Sequence, residues 1–166
     1  MGLSLGRKFY PPSTNSGCKL LEKRNDRNER CVVYVYQLPK DRGNLKMDIV
    51  TVEVTPKTGI ICEISARTRT NEFPTLDEAK ATLSLIISRL EEKHGKSVGN
   101  CIDRGNQRVC WLTFEDHGTV VNAKGEKENV VTGAMIVVNC FDMELSDRAA
   151  QEREEINGES YIFEYF

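Results

Sequence analysis

Histidine is scarce in this chain, with two residues in 166, and the scarcity removes several chemistries at once. His94 and His117 belong to no HExxH or HxH arrangement, so no histidine-built metal centre is expected. No cysteine stands in a CxxC pair, the usual local half of a structural zinc site. Zinc is left only to convergence of distant residues, and the expectation is no metal and no cofactor. Phosphate-cradling glycine motifs are absent too, since GIICEI and NAKGEK lack both the spacing and the lysine-serine pair that a nucleotide needs. Ser65, Ser84 and Ser88 have no nucleophile-elbow context. The acid pairs Glu91-Glu92, Glu115-Asp116 and Glu154-Glu155 fall on segments that read as exposed, which favours solubility over a hydrolytic cleft. No apolar run approaches the roughly 18 residues of a transmembrane helix. The start MGLSLGRKFY also lacks the apolar core of a secretory signal. If the protein is exported, its mature part is expected to begin here behind an added methionine.

What the chain does have is six cysteines: Cys18, Cys31, Cys62, Cys101, Cys110 and Cys140. Apolar residues make up 39% and charged residues 29%, ordinary for a globular protein, and the length suits one domain over residues 1–166. The net charge of −2 conceals a gradient. Seven Lys and Arg face three acids between Arg7 and Arg30, whereas Asp142 to Phe166 carries eight acids against two Arg. A nucleic-acid arm needs unopposed cations. Glu22, Asp26 and Glu29 interrupt the basic run and no aromatic platform accompanies it, so a solvated loop is the reading and no nucleic-acid partner is expected.

The pattern along the chain is strands, one long helix, then more strands. Residues 1–30, with Pro11, Pro12 and the polar stretch EKRNDRNER, read as irregular apart from a short strand at LSLGRKF. CVVYVYQL and MDIVTVEV read as strands. TPKTG places Pro56 and Gly59 for a tight turn into IICEISA, where simple alternation puts Ile60, Cys62, Ile64 and Ala66 on one face. Thr75 and Glu78 form a capping box, and Leu76, Ala79, Leu83, Ile86, Ile87 and Leu90 make an apolar stripe that ends at His94 and Gly95. A helix packed on its own sheet accounts for that stripe without a partner helix. Further on, NCIDRGNQRVC centres a hairpin on Gly105-Asn106. CWLTF follows, then a turn at EDHG that makes His117 a turn residue, then TVVNA, a turn at KGEK and the long strand NVVTGAMIVVNCF. The tail reads as a short helix capped by Ser146 and stopped by Gly158, with SYIFEYF as a last strand. The expected fold is α+β: an antiparallel sheet with one long amphipathic helix on one face, in the order hairpin, helix, meander, then a short C-terminal helix and strand.

Counting outward from Gly105-Asn106 sets Cys101 opposite Cys110 as a non-hydrogen-bonded pair, with Cα atoms about 4.5 Å apart, inside the disulfide range. Matching inward faces suggest Cys62 with Cys140, and loop closure suggests Cys18 with Cys31. Six cysteines allow fifteen connectivities, so these pairs are preferences. Disulfides persist in the periplasm or outside the cell.

The run VEVTPKTGIICEISA through TLDEAKATLSLIISRLEEKHGK resembles the hairpin and capped helix of small bacterial envelope proteins of unassigned function. His94 stands where that pattern carries an aromatic residue. The resemblance covers about a quarter of the chain. It implies a bacterial, exported origin and carries over no functional residues.

The expected function is a non-catalytic exported binding module, of inhibitor or immunity type, with a protein partner and a periplasmic or secreted location. One alternative is a hydrolase using a cysteine or acid assembled from distant positions, and another is a structural envelope component.

Overall fold

The computed structural model describes residues 3–26, 30–39, 47–69 and 72–163, with the backbone alone at residues 14 and 158–163. Among these residues, seven antiparallel strands form one open sheet in the order β1-β2-β3-β4-β7-β6-β5. The strands are β1 Lys19–Asn25, β2 Val32–Gln37, β3 Ile49–Val54, β4 Ile61–Arg67, β5 Cys101–Arg104, β6 Gln107–Val121 and β7 Lys127–Asp142, with helices α1 Leu76–His94 and α2 Met143–Phe163. The α+β class and the packing of α1 on one sheet face agree with the sequence reading. VVYVYQ and IVTVEV form strands because their β-branched and aromatic side chains fit a pleated, half-buried surface.

α1 begins where Thr75 Oγ1 accepts the Glu78 amide at 3.3 Å, and ends at Gly95, whose φ of 100° suits a residue without a side chain. Its buried Ala79, Leu83 and Ile86 meet Ile102, Trp111, Ala134 and Ile136 of β5, β6 and β7. A second core lies beside the first. Val50, Val52, Val54 and Ile61 pack with Tyr36 under Phe9, while Leu3, Leu5 and Cys18 of the N-terminal segment close over them. That segment is anchored by backbone bonds, Gly6 to Ile61 and Phe9 to Gly59, both 2.9 Å.

Four features depart from expectation. The segment read as irregular over 1–30 contains β1, which pairs with β2 from Lys19↔Gln37 to Asn25↔Val32. All seven β1 residues are exposed, so an edge strand wet on both faces leaves no apolar alternation to read. EDHG is not a turn: β6 runs through it, and a bulge between Asp116 and His117 absorbs the irregularity. The C-terminal helix is long, starting at Met143 and passing Gly158 to Phe163. Helical backbone therefore occupies the first residues of the expected last strand, whose final three lie outside the described residues. The cap is Asp142, whose Oδ1 accepts the Leu145 amide at 3.2 Å, while the Ser146 hydroxyl donates back to the Asp142 carbonyl at 2.9 Å. Asp142 captures the first turn because it is the last residue of β7 and already sits at the strand-to-helix corner.

Candidate functional site

The Gly105-Asn106 hairpin has the expected pairing at all four rungs, Arg104↔Gln107 to Cys101↔Cys110. Gly105 takes a φ of 66°, and Asp103 pairs with Arg108 across the strands. Cys101 and Cys110 stand at disulfide distance with Cα atoms 4.2 Å apart. This bridge fits an oxidising compartment. Replacing both cysteines with Ala is expected to cost roughly 2 kcal/mol, at the low end of the usual range because the loop is short. The urea midpoint of the oxidised wild type should fall to that of the variant on reduction. Equal midpoints for oxidised and reduced wild type would contradict it.

The other four cysteines do not pair as the sequence suggests. Cys18 borders the first rungs of the β1–β2 ladder and Cys31 lies past its last, six residues of strand and about 20 Å away. Cys62 falls at a bulge, since Val54 pairs with Ile61 and Glu53 with Glu63, leaving Cys62 outside the ladder. The bulge sends its side chain to Cys31, Leu145 and Ala149 beneath α2. Ile64, which pairs with Cys140, stays with the other core. Simple alternation hid this switch of face.

Cys31 and Cys62 are both buried, and their sulfurs are 3.5 Å apart. The Cys62 thiol also donates to the Glu53 carbonyl at 3.3 Å. Asp26, Cys31 and Glu53 each place one ligand atom within 4.8 Å of the others. The Asp26 carboxylate is steered by the Cys31 amide, which donates to Oδ1 at 3.1 Å, and the Asp26 amide donates to the Cys31 carbonyl at 3.0 Å. The Cys62 thiol is held protonated by its hydrogen bond to Cys31 and by burial. Burial, with Asp26 nearby, also raises the Glu53 carboxyl against the opposing pull of Arg24 and Arg30. Burial and the neighbouring Glu53 push Glu63 up to about 7. A sulfur and carboxylate cluster thus forms from residues that are remote in sequence.

The histidines lie elsewhere. His94 Nδ1 is 3.0 Å from Arg104 Nη1, and burial with Lys93 and Arg104 lowers its proton affinity. His117 sits in β6, with Nε2 at 3.7 Å from Glu115.

Beyond the sheet, β6 and β7 continue as a two-stranded ribbon from Glu115↔Ala134 to Val121↔Lys127. Among the described residues its last sheet-side contact is the Phe73↔Ala134 bridge. Leu112, Phe114 and Val120 share one face of β6 by alternation and are 43–46% exposed. Val121 and Val131 are more exposed still.

Comparison with protein-family models, curated proteins and solved structures returned no match. No helix among the described residues is long and apolar enough to cross a membrane.

Proposed function

We propose that this protein is an exported, non-catalytic binding module of inhibitor or immunity type that docks a protein partner on the β6–β7 ribbon. The observation carrying this reading is the exposed apolar side chains on one face of β6, Leu112 and Phe114 where the strand leaves the sheet and Val120 farther out on the ribbon. A lone two-stranded ribbon in water is marginal, and apolar side chains spaced along it gain most from a partner's surface. Glu115, Asp116, Glu126 and Glu128 outnumber Lys124 and Lys127 on the ribbon. The partner surface is accordingly apolar with a basic rim. The Cys101–Cys110 bridge supports export, to the periplasm or beyond.

The test is the double variant Phe114→Ser/Val120→Ser, compared with wild type in quantitative capture from extracts of the source cell. Both side chains are substantially exposed, so folding stability should change by under about 1 kcal/mol, while recovery of the partner falls at least tenfold. Undiminished recovery would remove the ribbon from the interface. Finding the protein in the cytosolic fraction with Cys101 and Cys110 reduced would overturn export.

A further inference from the structure

We propose that Asp26, Cys31, Glu53 and Cys62 form a site for a borderline-soft divalent cation of the Zn2+ class. Asp26, Cys31 and Glu53 bring one oxygen or sulfur each within 4.8 Å of one another, and the Cys62 sulfur lies 3.5 Å from that of Cys31. Two sulfurs on one tetrahedral zinc, each at ~2.3 Å, stand about 3.8 Å apart. The observed spacing needs only a few tenths of an ångström of adjustment, and Cys62 joins the group of three through its contact with the Cys31 sulfur.

A disulfide suits these residues less well. Cys31 lies on the line of β2 and Cys62 on β4, with β3 between them. Their sulfurs stand 3.5 Å apart, well beyond the ~2.05 Å of a disulfide bond. A metal ion bridges the remaining gap between the sulfurs without moving either strand.

Electrostatics supports the same occupant. Two carboxylates converge beside two sulfurs. A divalent ion adds positive charge at the point where these four ligand groups meet. On binding it replaces the two thiol protons, which pass to solvent as two metal–sulfur bonds form. Sulfur ligands favour zinc-class ions over Mg2+ or Ca2+. With Cys31 6% and Cys62 1% exposed and Asp26 and Glu53 half-buried, the sulfur side of the site is closed and its role is structural. It ties the β1–β2 hairpin to β3, to β4 and, through Leu145 and Ala149, to α2.

The experiment uses the full chain, reduced and freed of metal, titrated with Cd2+ while the thiolate-to-metal charge-transfer band is followed. Saturation at one ion per chain is expected, with Zn2+ displacing Cd2+ and Mg2+ failing to do so. Zn2+ should protect Cys31 and Cys62 from alkylation and leave the rates of Cys18 and Cys140 unchanged. The band should vanish in Cys31→Ser, and Glu53→Gln should bind about tenfold more weakly or worse, at least the loss that outer-shell changes produce. If Cys31→Ser does not fold, the wild-type stoichiometry and alkylation pattern decide. The proposal is overturned by a titration that does not saturate at one ion, by protection spread equally over Cys18 and Cys140, or by native protein isolated with Cys31 and Cys62 joined.

Discussion

Ile136→Ala is expected to destabilise the protein by about 4 kcal/mol, near the upper part of the range for buried aliphatic truncation. Ile136 has no exposed surface and lies on β7, where the two halves of the sheet meet. It packs with Ile102, Trp111 and Ala134 beneath Ala79, Leu83 and Ile86 of α1. Its backbone is pinned on the β4 side, where its amide donates to Thr68 Oγ1 and its carbonyl accepts the Thr68 amide, both at 3.0 Å. A strand held in this way cannot shift to fill the space, so most of the cavity stays open. With a urea slope of ~2 kcal/mol per molar, the midpoint should drop by about 2 M. Leu85→Ala, on the same helix with 64% exposure, serves as the control and should barely move the midpoint. Equal shifts in the two variants would show that α1 does not pack as described.

Glu152→Ala should cost about 3 kcal/mol, because it strips partners from a buried hydrogen-bonded network. The carboxylate is 5% exposed and caps the β3–β4 turn. It accepts from the Lys57 amide at 2.9 Å, the Thr58 amide at 3.0 Å, the Thr58 hydroxyl at 2.7 Å and Arg148 Nε at 3.0 Å. Burial works against its charge, but the Thr58 and Lys57 donors and Arg148 outweigh it and hold the carboxyl down at about 2. A carboxyl depressed in the folded state stabilises above its unfolded value and loses that contribution on protonation. The wild type should therefore weaken as the pH falls from 4.5 toward 2, and the gap between wild type and Glu152→Ala should close over the same window. A gap that stays constant from neutral pH down to pH 2 would mean that the charge contributes nothing.

Local chemistry made much of this fold legible in advance. Gly105-Asn106 set the β5–β6 pairing, Thr75 and Gly95 set the ends of α1, and Pro56 with Gly59 set the β3–β4 turn, because each signal acts within a few residues. The unread parts depend on neighbours far along the chain. KLLEKRN becomes β1 by bonding to β2, and β6 passes through EDHG because β7 supplies partners on both sides of the bulge. The Cys31–Cys62 contact needs both the bulge at Cys62 and the placing of β2 and β4 on either side of β3, neither of which any spacing rule encodes. Glu152 was invisible for a similar reason: its ligands lie 94 and 95 residues away.

The pairing of β4 with β7 joins residues 63–67 to residues 137–141, which has a consequence during synthesis. At a ribosomal rate of ~5–20 residues per second, roughly 4–15 s separate the appearance of β4 from that of the strand that completes it. Through that interval the nascent chain carries a half-built sheet with one raw margin. Chaperone capture should be heaviest just before Asp142 emerges, and a pause placed upstream of β7 should lengthen the period of vulnerability more than one placed anywhere in α2.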